Sequence, residues 1–270
     1  MMRILEKSSV LLPVVVILAL LSMLGHGAYN HLADSDPLGL SYRGSVLETT
    51  LNTLVIVGSA TTISAPIALL SSILFLETST SSSDSGRSFA RIMRRIMEVG
   101  ASLPRLVWGV AGAVLFGSLF GLGVSAATGI AALACMMVPI MFNSFVDGLL
   151  SADRMYRPQL SALGIDANHA VRSVQFRAAM PALVASTIMA VGRGLGDAAV
   201  LLLTSGVSFV ILSGLNESAS PLAVQIYVLT MDIGGGRGEA MLAAVILLAL
   251  TSIVQGLVLF IQPIDRHDRS

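Results

Sequence analysis

The sequence predicts an all-α integral membrane protein with six transmembrane helices. Of its 270 residues, 54% are apolar and only 12% are charged, about half the charged share of an ordinary soluble domain. The mean hydropathy is +0.83, and long windows without any charge recur along the chain. A soluble domain of this size cannot bury so much apolar surface, because its own exterior must stay in water. These observations exclude a soluble enzyme, a nucleic-acid-binding protein and a disordered chain.

Charge-free windows define the spans, because a helix that crosses about 30 Å of hydrocarbon needs about 20 mostly apolar residues. Positions 106–146 hold no charge, which leaves room for two spans on either side of the glycine-rich turn 121–123. Positions 178–216 hold only Arg193 and Asp197. The predicted spans are residues 10–29, 49–76, 104–121, 124–146, 182–205 and 240–262.

The first span has a second interpretation as a secretory signal peptide, because Arg3 and Lys7 precede its apolar stretch. The stretch is longer than the core of such a peptide, about 7–15 residues, and no clear cleavage site follows it, which favours an uncleaved anchor. With the N-terminus inside, only Arg43, Arg193 and Arg237 of the 16 basic residues lie outside the cytoplasmic segments. This asymmetry predicts that both termini, residues 1–9 and 263–270, are cytoplasmic.

An amphipathic helix is predicted over residues 87–99, between the second and third spans. Its arginines lie on one face, and its apolar residues recur at the helical spacing i, i+3, i+4, i+7 and i+8 on the other. We expect this helix to lie in the plane of the cytoplasmic interface, with its arginines in contact with lipid phosphates and water. The apolar residues are Phe89, Ile92, Met93, Ile96 and Met97.

The cytoplasmic connection 147–177 is too long for a turn and is rich in helix formers. Gly164 permits a sharp turn, and Asp166 can cap the helix that follows it. The pattern predicts a short helix, a turn and a second short helix, which suit docking to a partner; a surface hairpin without a partner is the alternative. The external connection 206–238 is also long, and either is partly re-entrant or caps a pore.

Arg193 and Asp197 are charges placed inside the fifth span, where each costs about 2.5–3.5 kcal/mol on insertion scales. A continuous helix puts residues four apart on one face, so an internal ion pair is one interpretation. The other is a substrate path, because a guanidinium fork suits a tetrahedral oxyanion. Gly192 and Gly196 flank Arg193 and permit close helix packing.

Arg105, at the start of the third span, is either a residue that snorkels to cytoplasmic headgroups or a second cation of the same path. The chain has one cysteine, Cys135, which the sequence places in core packing, and no spacing typical of a metal site. The sole lysine is Lys7 and no phosphate-binding loop is present, so energy for uphill transport would come from another subunit or an ion gradient.

Two segments resemble a known family. Residues 158–181, PQLSALGIDANHAVRSVQFRAAMP, resemble the cytoplasmic EAA loop of permeases of binding-protein-dependent ABC importers, in which a glycine and a closing proline match Gly164 and Pro181. Residues 192–206, GRGLGDAAVLLLTSG, are similar to the GR-x-x-GE-x-A stretch of phosphate-specific (Pst-type) permease subunits. The resemblance covers about residues 40–262.

This chain departs from that family's pattern at four positions. Pro158 stands where the EAA motif begins with an acid, and Asp197 replaces the family's glutamate. Val200 and Arg177 each occupy a position where the family commonly has a proline. The arginine and the acid of the 192–197 stretch are both retained.

The resemblance implies a type I ABC importer permease (MetI-like) architecture with a cytoplasmic coupling helix, in the bacterial inner membrane. Its implied partners are the lipid bilayer, a second and related permease subunit in a heterodimer, a cytoplasmic ATPase dimer that uses ATP, and an external phosphate-binding protein. The chain itself would bind no cofactor and catalyse no reaction. The ATPases would dock on residues 153–172, with Asp153, Ser161, Gly164 and Asp166 in the coupling region.

The implied mechanism is alternating access. Closure of the ATPases would push on the hairpin around Gly164, rock the fifth span and switch the side that reaches Arg193. Asp197 would hold the Arg193 guanidinium and accept the proton of hydrogen phosphate, which sulfate lacks. The alternatives are a permease for another oxyanion, such as phosphonate, molybdate or sulfate, and a membrane scaffold or sensor subunit that transports nothing.

Overall fold

The computed structural model describes residues 39–79, 83–162, 176–208, 212–231 and 237–261, and this part of the chain is all-helical. Glycines Gly121 and Gly123, both with positive φ, form the predicted turn that joins the third and fourth spans. The helices are α1 (Gly39–Ser79), α2 (Asp84–Ser102), α3 (Arg105–Gly112), which continues as a π-helix (Ala113–Leu119), α4 (Ala126–Ala162), α5 (Phe176–Leu195), α6 (Ala198–Thr204), α7 (Leu222–Met231) and α8 (Arg237–Ile261).

Within the described ranges, four helices are long and apolar enough to cross a membrane, or five spans are present if α2 and α3, bent by 101°, count as one. The four helices overlap the predicted second, fourth, fifth and sixth spans, the fifth only over residues 182–195. The predicted first span, 10–29, lies outside the described residues, so the count of six stays a prediction. The windows are Val46–Ser79, Ala126–Tyr156, Phe176–Leu195 and Arg237–Val258.

Helix α4 is the centre of the bundle, since 67% of its apolar window is buried, against 11% for α8. It packs against α1, α2, α3 and α5. The rings of Phe75 on α1 and Phe142 on α4 meet edge to face at 5.8 Å, a favoured aromatic geometry.

Two predictions about α4 are corrected by the structure. The first helix of the predicted cytoplasmic hairpin is not separate, because α4 continues without a break to Ala162. Leu149 and Ala152 are buried and extend the packed face of α4 beyond the predicted span 124–146. Cys135, predicted to pack in the core, is exposed, since it lies on the face of α4 that turns away from the buried residues Leu133, Met136 and Met137.

Helix α2 has three faces. Ala90 is buried, and Met93 and Met97 pack against the core. A second face carries the arginines; the Arg94 guanidinium lies 5.9 Å from the Phe75 ring centre. The predicted apolar face is therefore divided, because its methionines turn inward. Four apolar side chains remain exposed on the third face: Phe89, Ile92, Ile96 and Val99.

A buried polar cluster on α1 holds the segment that precedes α7. The Asn52 side chain accepts a hydrogen bond from the Leu212 backbone at 3.0 Å, and Thr53 Oγ1 accepts one from the Leu222 backbone at 2.7 Å. The Thr49 hydroxyl donates to the Gln225 side chain. The first two bonds satisfy backbone N–H groups that would otherwise lack partners, and the bonds to Leu222 and Gln225 fix α7 against α1.

Candidate functional site

The elbow between α2 and α3 sets the position of Arg105. A residue that precedes a proline disfavours the helical conformation, and Leu103, just before Pro104, is extended and ends α2. The indole Nε1–H of Trp108 donates to the Gly100 carbonyl oxygen at 3.1 Å across the elbow. Arg105 is the first residue of α3, so it lies at the elbow.

The fifth predicted span breaks at Gly196 and Asp197. Helix α5 ends at Leu195, and Asp197 caps the next helix, because its Oδ1 accepts the Val200 backbone N–H at 3.1 Å. Aspartate is among the preferred N-cap residues because this contact satisfies a helical donor without a backbone partner. Arg193 and Asp197 therefore do not share a face of one continuous helix, which corrects the geometry assumed from their spacing.

Asp197 instead forms an ion pair with Arg105. The Arg105 Nε atom lies 3.6 Å from Asp197 Oδ2; the aspartate side chain is fully buried and that of Arg105 is 53% exposed. This distance suits an ion pair but is too long for a hydrogen bond, and Oδ2 has no hydrogen-bond partner among the described residues. A buried carboxylate needs a counter-charge, and Arg105 supplies it across the α3–α6 contact.

Arg105 and Arg193 line one cavity of about 370 Å³, between the elbow, α4 and the end of α5. Asn143 and Ser144 of α4 add polar groups to its wall, and Trp108 closes one side. The volume falls within the range of small-molecule sites, about 300–1,000 Å³. Two guanidinium groups beside the Asn143 amide form a set of donors that suits a tetrahedral oxyanion. The Ser144 hydroxyl donates to the Ile140 carbonyl oxygen at 3.2 Å.

Arg193 lies in the last turn of α5 and is exposed. No carboxylate of the described residues lies within ion-pair distance of it, whereas Arg105 is held by Asp197. The cation therefore has its hydrogen-bonding capacity available to the cavity. The structure brings the predicted cations, Arg105 and Arg193, to one cavity. Asp197, however, pairs with Arg105 and not with Arg193.

The two glycines near Arg193 have different surroundings. Gly192 is buried against α8, where a Cβ atom would meet the Gln255 side chain. Gly196 forms the turn between α5 and α6, and a Cβ atom there would come no closer than 4.0 Å to the Arg193 carbonyl oxygen. Close helix packing therefore involves Gly192 but not Gly196.

The predicted coupling residues lie mostly beyond the described part of the chain. Gly164 and Asp166 fall in residues 163–175, and the Ser161 side chain is also outside the described set. Asp153 lies on α4 near its C-terminal end and is half-buried. The structure therefore neither joins these four residues nor separates them.

Sequence reasoning missed three residues of the cavity wall. Asn143 and Ser144 are polar residues inside the 106–146 window, where only charge was counted. Trp108 is the single tryptophan of the chain and reaches back to Gly100. A polar pair inside an uncharged span is the signal that would have indicated the first two, because such residues rarely face lipid.

Three relatives are similar in sequence to part of this chain. A probable ABC transporter permease protein of Bacillus subtilis, YqgI, is 34% identical over 116 residues, which cover 43% of this chain and 40% of the relative. The phosphate transport system permease protein PstA 2 of Mycobacterium bovis is 31% identical over 115 residues, 43% of this chain and 38% of the relative. The phosphate transport system permease protein PstA of Haemophilus influenzae is 28% identical over 185 residues, 68% of this chain and 64% of the relative.

These matches span about two fifths of the length of the first two relatives and just under two thirds of the third. The model of one protein family matches a longer stretch, residues 78–263. That stretch includes the elbow, the cavity and the broken fifth span. The chain belongs to the family of binding-protein-dependent transport system inner membrane components.

Proposed function

We propose that the chain is a permease subunit of an ATP-driven importer and that it translocates inorganic phosphate by alternating access. The observation that carries this proposal is the convergence of Arg105 and Arg193 on one cavity. The PstA names of two relatives support phosphate as the anion. In this proposal the chain has six spans, cytoplasmic termini and a cytoplasmic coupling region.

The two arginines have different roles in the proposed path. Arg193, which has no ion-pair partner among the described residues, meets the anion directly. Asp197 acts through Arg105, because it fixes the guanidinium of that residue at the elbow and caps α6. A hydrogen phosphate ion would be bound by the donors of both arginines and by the Asn143 amide.

The proposed partners are a second permease subunit, an ATPase dimer on the cytoplasmic side and an external binding protein. Closure of the ATPases acts on the 153–172 region at the end of α4. Because α4 lines the cavity at Asn143 and Ser144, a displacement of its cytoplasmic end changes access to the arginines.

Purification from the native membrane tests the assignment. We expect an ATP-hydrolysing subunit to co-purify with the chain, and the reconstituted complex to take up labelled phosphate in an ATP-dependent manner. Molybdate, sulfate and a phosphonate are added as competitors. Stronger competition by one of them than by unlabelled phosphate assigns a different oxyanion, and a chain that purifies without an ATPase is a scaffold or sensor.

A substitution at the hairpin turn tests the coupling region. Gly164→Trp should leave ATP hydrolysis in place and abolish uptake, because the bulky side chain disrupts the predicted turn. Ala162→Trp, at the exposed last residue of α4, is the matched control. Normal coupled turnover in the Gly164 variant would refute a coupling role for this turn.

A further inference from the structure

Helix α2 carries an exposed apolar face that the rest of the described chain does not cover. Phe89, Ile92, Ile96 and Val99 are between 50% and 63% exposed. At about 100° per residue, these four side chains fall within an arc of about 80°. We call them the α2 stripe. Its residues are as exposed as the arginines of the neighbouring face, so the helix has two unlike surfaces side by side.

Two arginines lie on the Val99 side of the α2 stripe, and neither has a carboxylate partner among the described residues. Arg87 pairs with Asp84 at 2.7 Å, and Arg94 pairs with Glu98 at 2.9 Å. Arg91 and Arg95 form no ion pair with any described residue. Arg95 projects about 40° from Val99, at the edge of the stripe.

Arg91 and Arg95 are also four residues apart on one helix, a spacing at which like charges repel. The nearest acid on the helix, Glu98, pairs with Arg94, and no other described residue forms an ion pair with either arginine. An anion held between the two guanidinium groups would relieve the repulsion. The surface therefore suits a ligand that is apolar on one side and anionic on the other. Arg91 also donates to the Arg87 carbonyl oxygen and to the Ser88 hydroxyl, which holds its guanidinium on this face.

The direction of α2 agrees with such a ligand. α3 continues directly from the elbow as an apolar helix, and α2 lies at 101° to it. If α3 follows the bilayer normal, α2 lies flat in the interface, where headgroup phosphates and acyl chains meet. The inward face, with Ala90, Met93 and Met97, rests on the bundle, so the stripe turns to the acyl chains.

We propose that α2 binds an anionic phospholipid, whose headgroup phosphate is held by Arg91 and Arg95 and whose acyl chains cover the α2 stripe. This proposal does not depend on the transported anion. It commits to a lipid rather than to a partner protein, because the exposed surface pairs an apolar arc with two cations that have no carboxylate partner. Guanidinium forks bind phosphate oxygens in pairs, and basic residues at a membrane surface select anionic lipids.

A photoreactive residue in place of Ile92 identifies what covers the stripe. The full chain is expressed in its native membrane with benzoylphenylalanine at that position, and the cross-linked products are separated by mass. Lipid adducts are the expected result. A dominant cross-link to a protein subunit would overturn the proposal, because it would place a partner on the stripe.

Vesicles of phosphatidylcholine, with and without phosphatidylglycerol, then test the headgroup site. We expect the probe at position 92 to capture phosphatidylglycerol in excess of its fraction in the vesicle lipid. R91Q/R95Q should lower that excess about tenfold, while the total amount of captured lipid stays unchanged. R87Q is the matched control, because Arg87 already pairs with Asp84, and it should change the excess by less than about twofold.

Two results would overturn the headgroup site. One is an equal loss of the excess phosphatidylglycerol capture in R87Q and in R91Q/R95Q, which would indicate a diffuse charge effect. The other is displacement of the lipid by millimolar inorganic phosphate, which would indicate a site for the free anion. All three substituted arginines are exposed, so these variants are expected to fold.

Discussion

Arg105 Nε lies 3.6 Å from Asp197 Oδ2, although one residue begins α3 and the other caps α6. The pair joins the elbow to the break in the fifth predicted span, so two irregular features of the bundle stabilise each other. Each feature puts one arginine at the cavity: Arg105 at the elbow and Arg193 one turn before the break. The geometry of the proposed anion path therefore depends on a contact between helices rather than on a motif within one helix.

A double-mutant cycle on this pair should show coupling. Arg105→Gln leaves the fully buried Asp197 carboxylate without its counter-charge, and Asp197→Asn removes that charge while an asparagine still caps α6. Because Arg105 is half-exposed and screened by solvent, we expect a coupling energy of about 1 kcal/mol, at the low end for contacting residues. The measurement is the midpoint of denaturant unfolding of the purified protein.

The same cycle with Arg193→Gln and Asp197→Asn is the control. Since these two residues form no ion pair within 4 Å, their effects should add to within about 0.5 kcal/mol. Coupling in the Arg193 cycle with none in the Arg105 cycle would restore the pairing inferred from sequence spacing and refute the geometry described above.

Arg193→Ala should lower phosphate uptake at least about tenfold without loss of stability. The side chain is exposed and has no ion pair among the described residues, so its removal leaves no buried charge. Arg193→Lys should retain part of the uptake, since it keeps the charge but not the planar fork. Labelled phosphate uptake by the reconstituted complex is the readout, with Arg237→Ala, outside the cavity lining, as the control. Full uptake in Arg193→Ala would remove this residue from the path.

The spans were predictable because charge is expensive in hydrocarbon. Four apolar helices overlap the predicted spans, and the glycine turn at 121–123 has the positive φ angles that only glycine adopts readily. Membrane insertion acts on each segment separately, so the sequence of one segment is enough to predict whether it spans the membrane. The same holds for the amphipathic pattern of α2, whose period is a property of one helix.

The partner of Asp197 was not predictable by the same reasoning. The i, i+4 rule assumes that the helix is continuous, and here it is not. A local signal was present: Gly196 followed by Asp197, just before the apolar run of α6, is typical of a helix stop and a new N-cap. The pairing of Arg105 with Asp197 depends on the packing of α3 against α6. The sequence of a single segment does not show which helices pack together.

Trp108→Phe should destabilise the elbow by about 0.5–1 kcal/mol, the contribution of a typical hydrogen bond. Phenylalanine keeps an aromatic ring in the cavity wall but loses the Nε1–H that donates to Gly100. Because the elbow sets the position of Arg105, phosphate uptake should fall as well. The thermal midpoint is followed by circular dichroism, since the variant has no tryptophan fluorescence. Wild-type stability together with wild-type uptake would show that this bond does not position Arg105.

Gly112→Ala should destabilise the protein by about 1–3 kcal/mol, the usual cost of overpacking a core. The new Cβ atom would meet the Cβ of Ala132 on α4, and neither side chain has a torsion that can relieve the clash, so α3 and α4 must move apart. Gly58→Ala is the matched control, because a Cβ atom there meets nothing within 4 Å and alanine favours the helix over glycine. The compensating pair Gly112→Ala/Ala132→Gly should recover part of the lost stability in denaturant unfolding, since it restores the space between the two helices. If the pair is no more stable than Gly112→Ala alone, the close approach of α3 to α4 at this level is refuted.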